Sequence, residues 1–126
     1  MSTILIVEDH EKNMKLVRDI LQHQGHSTLE ATTGEDGVRL ASERRPDLVL
    51  MDIQLPGIDG IEALRQIRTD AALDAVPVVA ISASVMPDDQ RHIVASGFDA
   101  FLSKPISLKP FVSTIERFLR DGRSPR

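Results

Sequence analysis

Pro46-Asp47-Leu48-Val49-Leu50-Met51-Asp52-Ile53-Gln54-Leu55-Pro56-Gly57-Ile58-Asp59-Gly60 decides how the rest of the chain is read. Four apolar residues, Leu48 to Met51, run without alternation into an acid, Asp52. A strand that is apolar on both faces belongs inside a parallel sheet covered by helices on both sides. Pro46 and the pair Pro56-Gly57 bound the run with breaker and turn residues. The same layout recurs along the chain. Ile4-Leu5-Ile6-Val7 runs into Glu8 and Asp9, and Val78-Val79-Ala80-Ile81 runs into Ser82. Ala100-Phe101-Leu102 is followed by Ser103, Lys104 and Pro105.

Short apolar runs at 3–7, 27–31, 47–51, 77–81 and 99–102 alternate with amphipathic stretches near 11–24, 34–45, 59–69, 87–96 and 107–120. Such alternation predicts an α/β fold with one doubly wound, five-stranded parallel sheet. The second run is only weakly apolar and the fifth is short, so both suit sheet edges. Placing the first, third and fourth runs inside gives the flavodoxin-like strand order 2-1-3-4-5, whose switch point lies between the first and third strands. Helix starts are marked by Thr33-Gly34-Glu35-Asp36 and Asp59-Gly60-Ile61-Glu62 in the manner of capping boxes, by Pro87 at a first helical position, and by Ser107 as an N-cap.

Ligands of open α/β sheets bind beyond the carboxyl ends of the strands. This places Glu8, Asp9, Asp52, Ser82 and Lys104 on one rim. Neighbouring strands lie about 4.8 Å apart, so Asp9 and Asp52 can share one ion. Packed carboxylates raise one another's pKa unless a cation neutralises them. Mg²⁺ takes oxygen ligands and often uses one or two carboxylates plus phosphate. Asp9 and Asp52 would ligate it directly, with Glu8 acting through water. Asp side chains serve as covalent nucleophiles toward phosphoryl groups. Lys104 then offers a point charge for a phosphoryl oxygen and Ser82 a hydrogen-bond donor. Taken singly, each of these residues has an ordinary explanation as a turn, cap or surface residue; their joint placement at strand ends points to a phosphoryl site.

Composition narrows the field. The chain has 126 residues, 41% hydrophobic and 27% charged, with a net charge of −4. That suits one domain with one core and argues against non-specific DNA binding. There are no cysteines, which excludes disulfides and thiolate metal sites. No run reaches the roughly 18 apolar residues of a membrane span. Without a basic start and a long apolar core, the N-terminus lacks the features of a signal peptide, so a cytoplasmic, soluble protein is expected. The four histidines show no metal-ligand spacing.

Ile6-Val7-Glu8-Asp9, Ala31-Thr32-Thr33-Gly34, Pro46 to Gly60 and Gly97-Phe98-Asp99-Ala100-Phe101-Leu102-Ser103-Lys104-Pro105 together resemble the receiver domain of two-component response regulators, the CheY-like fold. The resemblance runs from Ile4 to Leu119 and assigns 1–121 to a receiver domain, leaving 122–126 as a short polar tail with no output domain. It implies that Asp52 accepts a phosphoryl group from a histidine kinase or phosphotransfer protein. It implies Mg²⁺, with Mn²⁺ as the alternative ion, bound by Asp9, Asp52 and the backbone carbonyl of Gln54, with Glu8 in support. It makes Ser82 the switch hydroxyl, Phe101 the switch aromatic and the peptide before Pro105 cis. It places kinase contacts at Leu16, flanked by Lys12 and Lys15, and output contacts on the face of the fourth helix, fifth strand and fifth helix, near Val85 and Met86. A monomer or weak dimer is expected, with self-directed phosphotransfer and slow hydrolysis in place of turnover of an outside metabolite.

Glu8-Asp9-His10-Glu11-Lys12-Asn13-Met14-Lys15-Leu16 is similar to single-domain cell-division regulators of the DivK type, and also to receivers in hybrid-kinase phosphorelays. Three positions depart from the commoner pattern. His10 replaces Asn and gains no assigned role; Ser82 replaces Thr; Phe101 replaces Tyr and lacks its hydroxyl. A flavin-binding module of the same fold would need a hydroxyl- and glycine-rich phosphate loop where Glu8-Asp9-His10-Glu11 stands. A Mg²⁺-dependent phosphatase of the haloacid-dehalogenase type would carry an acid at position 54, where this chain has Gln54. A degenerate receiver would lack one of the five rim residues.

Overall fold

The computed structural model describes residues 2–83 and 86–123. Strands and helices alternate: β1 (Thr3–Val7), α1 (Glu11–His23), β2 (Ser27–Ala31), α2 (Gly34–Arg44), β3 (Leu48–Asp52), α3 (Gly60–Arg68), β4 (Val78–Ser82), α4 (Pro87–Ala95), β5 (Ala100–Ser103) and α5 (Leu108–Asp121). A 3-10 turn at Ala71–Leu73 follows α3; nothing in the apolar periodicity announces it. All pairings are parallel, and the order is β2-β1-β3-β4-β5. Among the described residues no helix is long and apolar enough to cross a membrane.

Side chains of a strand alternate between faces, and here the alternation splits the core in two. Leu5, Val7, Val49, Met51, Val78 and Ala80 pack with Ala41 of α2, Ala63, Leu64 and Ile67 of α3, and Ile93 of α4. Ile4, Ile6, Leu48, Leu50, Val79 and Ile81 pack with Met14, Val17 and Leu21 of α1 and Phe111, Ile115 and Phe118 of α5. Every residue of β3 and β4 is buried, whereas β2 and β5 are partly open at the edges. Each large apolar side chain taken from water contributes roughly 1.5–3 kcal/mol. That reserve lets the sheet hold buried charge at its rim.

The strands run one residue further than the apolar pattern suggests: β3 ends with Asp52 and β4 with Ser82. Strand pairing belongs to the backbone. Ile53 N–H donates to the Ile81 carbonyl (3.1 Å) and Lys104 N–H to that of Ser82 (2.9 Å), so the ladder continues past the apolar side chains. Asp47 drops out of β3; its carboxylate instead accepts from Thr3 N–H at 2.8 Å.

The caps also differ in detail from the sequence pattern. Thr33 Oγ1 accepts from Asp36 N–H (3.1 Å) and Asp59 from Glu62 N–H (2.9 Å). Glu62 does not complete its box, because its carboxylate turns to Arg65 and Gln66. Ser107 stands at the N-cap of α5 without a side-chain cap bond; the buried stripe of Phe111, Ile115 and Phe118 holds that helix in place.

Candidate active site

Four strands end at one rim, and between them they deliver five polar groups to it. Asp52 closes β3, Glu8 and Asp9 follow β1, Ser82 closes β4, and Lys104 follows β5. Glu8, Asp52 and Ser82 are buried, with 5%, 3% and 1% of their surface exposed, while Asp9 is open to solvent. Carboxylate oxygens of Glu8, Asp9 and Asp52 lie within 4.8 Å of one another. The Lys104–Pro105 peptide is cis. Lys104 Nζ stands 2.9 Å from Asp52 Oδ2 and 2.9 Å from Glu8 Oε1.

Two buried carboxylates therefore share one ammonium. Burial, with the neighbouring Asp52, pushes the Glu8 carboxyl up to about 6 against the partial relief from Lys104. Burial also works against the Lys104 charge, but its bonds to Asp52 and Glu8 outweigh this and raise its pKa above that of an ordinary lysine. The other Asp52 oxygen, Oδ1, accepts from Gln54 N–H at 3.0 Å. Hard oxygen donors with surplus negative charge and one open side match the needs of a divalent cation such as Mg²⁺.

The loop after Asp52 folds back tightly. Gly60 N–H donates to the Ile53 carbonyl at 2.9 Å. A Cβ at Gly60 would lie 2.4 Å from the Asp52 carbonyl oxygen and 2.8 Å from Ile53 Cα. Sequence reasoning assigned Gly60 to a helix start and missed this contact, because its partner is eight positions away; the only signal was the glycine itself. The Lys104–Glu8 bond was likewise not foreseen, since Glu8 was read solely as a metal-side group.

The other expected positions fall as follows. Phe101 is half-buried on β5 and lines an apolar groove with Pro87, Gln90, Arg91, Val94 and Ala95. Met86 is exposed by 60% and Leu16 by 44%. Lys12 and Lys15 flank Leu16 on the exposed side of α1, Lys15 paired with Asp19 at 2.7 Å. Val85 lies outside the described residues. His10 is the N-cap residue of α1 and makes no side-chain cap bond. Beside the acids, a recess of about 180 Å³ is lined by Ile53, Gln54, Ile61, Ser82, Asp89, His92 and Ile93.

Comparison with known proteins agrees with this layout. The response regulator receiver domain profile matches residues 4–116. The polar-differentiation response regulator DivK of Brucella anthropi is 43% identical over 120 residues, covering 95% of this chain and 98% of that protein. DivK of Brucella melitensis is 42% identical over the same shares. Among solved structures, the receiver domain of the sensor histidine kinase PA1611 from Pseudomonas aeruginosa, with a magnesium ion coordinated in its active-site cleft, superposes with a TM-score of 0.89 at 29% identity, covering 95% and 98% of the two chains. The chemotaxis protein CheY4 of Vibrio cholerae shares the fold, with a TM-score of 0.86 at 23% identity over 93% and 98%. With this sheet order, this acidic rim and these relatives, the chain belongs to the response regulator receiver family of two-component signalling and is DivK-like in sequence.

Proposed function

We propose that Asp52 is the phosphoacceptor of a two-component phosphorelay and that its phosphorylation alters the α4–β5–α5 surface. The observation that carries this reading is the buried Asp52 carboxylate at the end of β3, with Lys104 Nζ at 2.9 Å and the carboxylates of Glu8 and Asp9 beside it. An Asp52 oxygen attacks the phosphorus of a phosphohistidine, forming an acyl phosphate. The phosphorus–nitrogen bond breaks, and the imidazole leaves with the electron pair and takes up a proton. Such transfers depend on charge compensation and in-line placement more than on further covalent chemistry. A bound Mg²⁺, or Mn²⁺, would neutralise phosphoryl oxygens, held by Asp9, Asp52 and the Gln54 carbonyl with Glu8 in support.

Lys104 then leaves Glu8 for a phosphoryl oxygen, and the Ser82 hydroxyl donates to another. Phe101 turns inward as the readout. The added charge of about −1.5 to −2 shifts a pre-existing equilibrium of the surface. The donor kinase or phosphotransfer protein docks beside α1 at Leu16, Lys12 and Lys15, and the output partner meets the face that carries Met86. Hydrolysis of the acyl phosphate by water at the same site resets the switch. The test is incubation with Mg²⁺ and acetyl phosphate, followed by mass measurement. One added phosphate, stable in acid and labile in base, is expected; an unmodified protein refutes the assignment.

Glu8 gives this site a pH dependence. A carboxyl must lose its proton to support a cation, and that of Glu8 does so near 6. Apparent Mg²⁺ affinity should fall about tenfold from pH 7.5 to pH 5 on this account alone. Without metal the sign for stability is opposite. The folded form holds a proton that the unfolded chain releases at lower pH, so this contribution is present in acid and is lost as pH rises through about 6. Glu8→Gln should bind Mg²⁺ more weakly and flatten both profiles. Calorimetric titration with Mg²⁺ at the two pH values checks the first, and urea unfolding in EDTA checks the second.

A further inference from the structure

At the opposite end of the sheet from Asp52, a second buried carboxylate holds two arginines. Asp99 immediately precedes β5, and only 3% of its side chain is exposed. Its Oδ2 accepts from Val78 N–H (2.8 Å) and from Arg68 of α3 (3.2 Å), and its Oδ1 accepts from Arg123 Nε (2.9 Å). The two guanidiniums also reach backbone, Arg68 to the Leu73 carbonyl and Arg123 to that of Asp74, each at 2.8 Å. Arg123 follows α5 by two positions, past Gly122 at φ +71°. The end of α5 is therefore tied to the 3-10 turn and to the start of the β5 edge strand.

The two arginines differ in where they sit: Arg68 lies within α3, whereas Arg123 lies beyond the last residue of α5. If Arg68 departs, α3 loses its side-chain bonds to Asp99 and to the Leu73 carbonyl. If Arg123 swings into solvent, Asp99 keeps one guanidinium and the Val78 N–H, so no buried charge is stranded. Breaking a buried pair is costly chiefly when it leaves an uncompensated charge; removal of Arg123 avoids that. Loss of either guanidinium leaves Asp99 with the other, but Arg123 alone sits outside a helix, on the residue after Gly122, so Arg123 is the releasable member. β5 spans only Ala100–Ser103, with Asp99 at one end and Lys104 at the other, about 16 Å apart at 3.3 Å per residue. Like β2, β5 is an edge strand paired on one side alone, which leaves it freer to shift than the inner strands.

We propose that the Arg123–Asp99 bond is a releasable latch on the C-terminal end of α5, coupled through β5 to Lys104; the coupling rests on the phosphoacceptor reading above. The latched form favours the arrangement in which Lys104 is shared by Asp52 and Glu8. A phosphoryl group that draws Lys104 away opposes the latch, and by linkage an open latch favours phosphoryl binding.

The test uses the full chain as Arg123→Gln, with beryllofluoride and Mg²⁺ as the phosphoryl mimic. Without the mimic, amide exchange at 118–121 should rise about tenfold in Arg123→Gln, while that of β4 stays at the wild-type rate. Circular dichroism should show an unchanged fold, and Arg123→Lys should restore part of the protection. In wild type the mimic should speed exchange at 118–121, and in Arg123→Gln it should half-saturate at about a fivefold lower concentration. Wild-type exchange at 118–121 in Arg123→Gln overturns the latch. An unchanged half-saturation overturns the coupling. A wild type that binds no beryllofluoride overturns the coupling together with the phosphoacceptor assignment, and the exchange comparison without the mimic still decides the latch.

Discussion

Replacing Asp52 with asparagine is expected to reduce labelling by acetyl phosphate to background while raising stability in metal-free buffer. Asparagine keeps the shape and can still accept from Gln54 N–H, which now bonds Asp52 Oδ1 at 3.0 Å. It removes the nucleophilic carboxylate and one of the two buried acids that share Lys104. The remaining Glu8–Lys104 pair is balanced in charge, and Glu8 loses the neighbour that helps push its pKa up. A stability gain of about 1–2 kcal/mol is expected from relieving an imperfectly compensated buried charge. The same substitution removes a metal ligand, so the stabilisation that added Mg²⁺ gives the wild type by mass action should shrink sharply. Urea titrations followed by circular dichroism, with EDTA and with Mg²⁺, read both effects. A loss of stability in EDTA, or labelling equal to wild type, contradicts the arrangement of charges described above.

Gly60→Ala is expected to cost about 3 kcal/mol and to impair the site as well. The new Cβ would stand 2.4 Å from the Asp52 carbonyl oxygen. Its obstacle is backbone, not a side chain that can rotate aside, and it belongs to the residue that carries the phosphoacceptor carboxylate. Relief requires the β3–α3 loop to move, which breaks the bond from Gly60 N–H to Ile53 and shifts Asp52 relative to Lys104. Gly25→Ala is the internal comparison. Gly25 has a left-handed backbone, φ +91°, and open space around it, so only the conformational penalty of about 1 kcal/mol applies and labelling should be untouched. Equal unfolding midpoints for the two variants, or full acetyl-phosphate labelling of Gly60→Ala, would count against the contact.

Much of the architecture was legible in the chain because it depends on local periodicity. Unalternated runs at Leu48–Met51 and Val78–Ile81 announce strands buried on both faces, and the weaker runs at 27–31 and 99–102 mark the edges. Boundaries were less legible. Side-chain hydropathy stops at Met51 and Ile81, while backbone pairing runs on through Asp52 and Ser82. Half of the Asp59 capping box failed for a related reason: Glu62 had a better partner one turn onward in Arg65. The rim was legible as a set of residues, because the polar groups stand where apolar runs end and parallel strands bring those ends to one side.

By itself, the sequence determined the sheet order, the two-sided core and which residues reach the rim. These follow from short-range patterns and from the restricted topology of parallel sheets. Only the tertiary structure decided how the rim groups share their charges. Lys104 bridges Glu8 and Asp52, residues 96 and 52 positions earlier in the chain; burial beside Asp52 raises Glu8 in spite of that bridge, and the bridge leaves a cation to be released. The contact of Gly60 with the Asp52 backbone and the clasp of Arg68 and Arg123 on Asp99 are of the same kind. Distance, burial and the number of partners per charge set these energies, and none of the three is a property of neighbours in sequence.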